Sequence, residues 1–124
     1  MRTSFVALMV AVVLALSAGP VWAHAQLAQK SVPAGTEQRL TVRAFSERAG
    51  HYNAKVEVQV PAGFQALDCV KKANWDCRIV RSGSLPVVTF TRTDGVDVFI
   101  DDTWDFDVKA ATTPGVYLFK TIQT

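Results

Sequence analysis

The residue with the most unusual chemical capacity in this chain is His24, and that capacity depends on a cut. It follows Val21-Trp22-Ala23. If a signal peptidase cleaves after Ala23, the mature protein begins with a histidine, and one residue then offers two metal donors. The α-amine has an ordinary pKa of about 7.7–8, so a bound cation deprotonates it readily. Amine and imidazole nitrogens completed by a carboxylate suit Cu(II), which prefers a tetragonal N,O set and tops the divalent affinity order. The competing expectation for a first residue is a frayed, solvated terminus.

A carboxylate is available nearby in sequence. Six of the 11 acidic residues lie in one stretch: Asp94, Asp97, Asp101, Asp102, Asp105 and Asp107. Most acids in such a cluster belong to a solvated strand face or turn. Asp105 stands out because Trp104 and Phe106 flank it; those two aromatics themselves are expected in the core. The second histidine, His51, lies in a polar stretch and is expected as a surface residue. Cys69 and Cys77 are separated by seven residues. That spacing matches none of the tight thiolate chelates, so one disulfide is expected in an oxidising compartment. No GxGxxG, P-loop, GxSxG or CxxC is present, and nothing local suggests a catalytic triad.

The elements that would position these residues begin after the leader. Arg2 precedes an unbroken apolar run from Phe5 to Leu16, which Ser17-Ala18-Gly19-Pro20 breaks. This is the three-part pattern of a cleavable signal peptide over residues 1–23, and the run is shorter than the roughly 20 residues that span a bilayer. Arg2 is the only charged residue of the leader, so residues 24–124 carry 12 basic against 11 acidic side chains. Near-neutrality gives no electrostatic footprint for nucleic acid. Export implies a periplasmic or extracytoplasmic location. What remains fits one small domain, short enough for a disulfide to matter to its stability.

Within that domain the apolar period is two. Leu40-Val42-Ala44 alternates with polar neighbours, Lys55 to Val60 does so most cleanly, and Trp104 to Val108 sets aromatic and aliphatic residues against acids. Such alternation predicts half-buried strands. Pro33-Ala34-Gly35, Pro61-Ala62-Gly63, Asp94-Gly95 and Thr113-Pro114-Gly115 read as turns. Further strands are expected over Ala25–Val32, Pro86–Arg92, Val96–Ile100 and Val116–Thr124. Phe64–Val70 and Asp76–Val80 are expected to pair as a hairpin crossed by the disulfide. The sum is an all-β, immunoglobulin-like β-sandwich of seven to eight strands, preceded by the signal peptide.

Taken together, the cut before His24, the Pro33-Ala34-Gly35 turn, the stretch Lys55 to Gly63, Asn74-Trp75, Trp104-Asp105-Phe106 and the run Pro114 to Thr124 resemble the YcnI-like copper-binding family. The likeness extends over essentially all of residues 24–124. It implies an exported immunoglobulin-like sandwich, often membrane-associated and found among other copper-handling proteins. It further implies a single-histidine brace for Cu(II), made by the mature N-terminal histidine and a glutamate placed just before a phenylalanine. By position these are His24 and Asp105. The acid here is one methylene shorter than the family's, with Asp102 and Asp107 as neighbouring carboxylates. The family's tryptophan near the copper lies on a closing strand that the sequence does not reach at Thr124, so a truncated C-terminal end is expected and any membrane anchor would lie beyond it. Cys69 and Cys77 are not part of the family pattern.

The expected function is therefore non-enzymatic: binding of Cu(II) as a chaperone or buffer in copper homeostasis, with other exported copper-handling proteins as partners. Two alternatives stand beside it. One is a copper oxidase or oxygenase in which His51 supplies a second imidazole. The other is a metal-free structural or adhesive sandwich domain, since this fold class hosts many functions.

Overall fold

The computed structural model describes residues 25–44, 55–94 and 102–123. The leader expected over residues 1–23, His24, the stretch containing His51 and the strand expected over 96–100 lie outside these residues. Among the described residues there are eight strands: β1 (Gln26–Leu27), β2 (Glu37–Ala44), β3 (Lys55–Gln59), β4 (Gln65–Cys69), β5 (Trp75–Val80), β6 (Val87–Arg92), β7 (Asp102–Lys109) and β8 (Lys120–Gln123). They form two four-stranded antiparallel sheets in the orders β1-β2-β7-β4 and β5-β6-β3-β8. The protein is the all-β sandwich that the alternation predicts.

The period of two decides which way each sheet faces. From the first sheet Leu40, Val42, Ala44, Trp104, Phe106 and Val108 point inward and are buried. From the second, Val56, Val58, Val88 and Phe90 meet them. Trp104 is 1% exposed and Phe106 fully covered, so two large rings dominate the interior. The Trp104 ring meets Trp75 edge-on, with centroids 4.8 Å apart, an arrangement aromatic pairs favour. The intervening residues of β7 (Thr103, Asp105, Asp107 and Lys109) face outward.

A sandwich has two open sides, and each is tied differently. On one side the Cys69–Cys77 disulfide joins β4 to β5, with Cα atoms 5.9 Å apart. On the other, Thr121 Oγ1 on β8 donates to the Ala25 carbonyl just ahead of β1. These ties also correct the expected hairpin. β4 pairs with β7 and β5 with β6, so the two segments lie in different sheets and the disulfide spans the gap between them. The turn between them is tight: Trp75 N donates to Lys72 O at 3.1 Å, and Asn74 takes the left-handed conformation with φ 67°. The final strand is shorter than expected. Residues 116–119 lie outside it, with Val116 94% and Leu118 79% exposed, and pairing with β3 runs from Lys120 to Gln123.

Two measurements separate these contributions. Trp104→Ala and Phe106→Ala are each expected to cost about 3–5 kcal/mol in chemical denaturation, through lost burial and the cavity left behind. Reducing Cys69–Cys77 is expected to cost about 2.5 kcal/mol, the loop-closure contribution of so short a bridge.

Candidate metal centre

Three carboxylates of the acidic stretch lie on β7, and the ladder gives each a different neighbourhood. Asp105 stands opposite Thr41 on β2. Its side chain is half-buried on the outer face, and its Oδ1 accepts a 2.7 Å bond from the Thr41 hydroxyl. The Thr41 amide is held in turn by Gln29 Oε1 at 2.9 Å. Asp107, two residues on, takes a two-pronged bond from Arg39, Nε to Oδ1 at 2.9 Å and Nη2 to Oδ2 at 3.2 Å. That pairing raises the Arg39 guanidinium above its ordinary value, first through the hydrogen bond and then through the charge. Both oxygens of Asp107 are thus engaged by a cation, whereas Asp105 carries a hydroxyl partner that a metal could displace at lower cost.

Asp102 opens β7. Its Oδ1 accepts from Lys72 Nζ and from the Thr103 amide, each at 2.8 Å. Asp68 of β4 faces Asp107 across the ladder and is exposed. Among the described residues no three His, Cys, Asp or Glu side chains come together as a metal site. A brace of the expected kind would need one carboxylate from these residues, and His24 lies outside them.

The register relates these acids to the start of the described chain. Gln26 pairs with Arg43, and Arg43 with Thr103. One step earlier, Ala25 falls level with Ala44, whose partner is Asp102. Asp105 is three rungs further along, roughly 10 Å down the strand, and two strands across, roughly another 10 Å. Asp102 is the β7 carboxylate at the level of Ala25. Ala25 itself is anchored: 6% exposed, its carbonyl bonded to Thr121, and continuous with the Gln26–Leu27 pairing.

Thr41 and Lys72 were not legible as partners of the acids from the sequence. Thr41 is 64 residues from Asp105 and becomes its neighbour only through the β2–β7 register. Lys72 reaches Asp102 from the β4–β5 turn. Trp104 and Phe106, flanking Asp105, are core residues as expected, although the buried Trp104 indole N–H has no acceptor among the described residues.

Comparison with known proteins adds no relative: no family model matches the sequence, and no curated protein matches it.

The Thr41–Asp105 contact can be measured apart from any metal. In a double-mutant cycle of Thr41→Val and Asp105→Ala, denaturation is expected to give a coupling of about 1 kcal/mol, that of a part-exposed hydrogen bond. A coupling near zero would mean that the hydroxyl does not hold the carboxylate in solution.

Proposed function

We propose that this chain is an exported Cu(II)-binding protein of the YcnI-like kind. His24 supplies its α-amine and imidazole, a β7 carboxylate completes the set, and the protein passes on or buffers copper without turnover. The observation that carries this proposal is the sequence around the cut: an apolar leader ending in Val21-Trp22-Ala23 and followed at once by histidine. The fixed position of Ala25 supports it. A ligand donated by the first residue costs less entropy when the next residue is already held in the fold than when a frayed segment must be ordered.

Copper is cargo here, and its chemistry determines the donors. The amine loses its proton on binding, the imidazole binds in its neutral form, and an anionic oxygen balances part of the ion's charge. Affinity therefore falls as pH drops and both nitrogens take up protons. Family resemblance points to Asp105 as the oxygen donor. Asp102 stands nearer the level of Ala25, but it shares the inward parity of Trp104 and Phe106 on β7 and already pairs with Lys72, whereas Asp105 faces outward. Delivery to other exported copper-handling proteins would follow from a site with so few protein ligands, because exchange needs few bonds broken.

Calorimetric titration with Cu(II) tests the proposal. Protein beginning at His24 is expected to bind one equivalent, and one residue added ahead of His24 is expected to weaken binding by about 100-fold or more, since the amine is lost from the chelate. Asp102→Asn and Asp105→Asn, compared side by side, identify the oxygen donor as the variant with the larger loss. Equal affinity for the extended and authentic forms would refute the brace. Failure of correctly processed protein to bind copper would favour the metal-free sandwich.

A further inference from the structure

A cavity of about 370 Å³ lies at the end of the sandwich where the 29–34 and 113–119 segments come together. Its walls are mostly apolar: Leu27, Leu40, Phe64, Tyr117 and Phe119. The rings are locked against one another. Phe64 meets Tyr117 edge-on with centroids 5.1 Å apart, and Phe119 at 5.0 Å. Tyr117 is fixed further by donating its hydroxyl to Thr113 O at 2.6 Å. Gly63, with φ +96°, lets the backbone pass close beneath that ring, since a Cβ there would sit 3.3 Å from Tyr117 Cε1 and 3.2 Å from Ala111 Cβ. Gly35 N to Ala111 O and Ala110 N to Thr36 O, at 3.0 and 2.8 Å, bind the turn segments together. The cavity is therefore built into the fold rather than left by a loose loop.

Its lining differs from the rest of the interior. At the other end of the sandwich Trp104 and Phe90 are fully buried, whereas Phe64, Tyr117, Phe119 and Leu27 remain half-exposed around this opening. Apolar surface gathered in a concave, preformed wall is what small apolar ligands bind. Of the residues that line it, Lys30 alone is charged, and no Asp or Glu is among them. The Lys30 ammonium is exposed and touches only the Leu27 carbonyl, at a long 3.4 Å, among the contacts described for it. A cavity of about 150 Å³ holds a benzene ring, so this one accommodates roughly 15 heavy atoms.

We propose that this cavity is a binding site for a small anionic amphiphile, a medium-chain carboxylate in type, with its chain between Leu40 and the Phe64–Tyr117–Phe119 rings and its head at Lys30. The site does not depend on copper, and it is tested in copper-free protein, so its failure would leave the metal proposal standing. Decanoate is the probe, followed by NMR of the backbone amides, with neutral 1-decanol as control. Saturable shifts confined to residues 27–34, 63–64 and 110–119 are expected, with a dissociation constant of about 0.1 mM. Ala34→Trp, at the exposed mouth, should abolish them while the melting temperature stays unchanged. Thr113→Trp on the facing rim repeats the test should the first variant lose stability. Lys30→Glu should weaken decanoate by about fivefold or more and leave 1-decanol unaffected. Shifts that do not saturate, or that survive both tryptophan variants in folded protein, would overturn the site. Equal response of acid and alcohol to Lys30→Glu would overturn the anionic head.

Discussion

The structure depends on the two-sided character of β7. It is flanked by β2 and β4, and its alternation sends Trp104, Phe106 and Val108 inward while Asp105 and Asp107 face out. Slipping its register by one residue would bury the acids and expose the rings, which no small domain could tolerate. The same packing that fixes the core therefore fixes the level of every carboxylate along the strand. Core and candidate site are one constraint seen from two faces.

That constraint has consequences at the sandwich's open sides. The disulfide holds β4 to β5, and the Thr121–Ala25 bond holds the start of the chain to β8. The second tie bears on the proposed copper site, because Ala25 is the residue next to His24. A metal ligand on a first residue would ordinarily be handicapped by fraying. For the proposed brace, the fold is already engaged one residue later.

The sandwich was legible because period two was strong where burial was one-sided. Leu40-Val42-Ala44, Val56-Val58 and Trp104-Phe106-Val108 all face the core as their spacing predicts. The disulfide was legible from the spacing together with the expectation of an oxidising compartment. What failed was pairing: β4 and β5 are close in sequence but separate in sheet, because each finds its hydrogen bonds on a distant strand, β7 or β6. The end of the chain was read too evenly. The run from Val116 to Thr124 contains enough β-formers for one strand, yet only Lys120 onward pairs. The carboxylates could be named individually from the sequence, but their partners Thr41, Arg39 and Lys72 are matters of register and turn geometry. The Lys30 cavity left no periodic signal, because its walls come from four separate segments of the chain.

The central claim is that one residue grips copper through its own amine and ring. Placing ¹⁵N only at the histidine α-nitrogen, loading the protein that begins at His24 with Cu(II), and recording the electron–nuclear double resonance spectrum tests this most directly. The account predicts that a strong ¹⁴N coupling to copper is replaced by its ¹⁵N counterpart. A spectrum unchanged by the label would contradict it, because the His24 amine would then not be bonded to the metal.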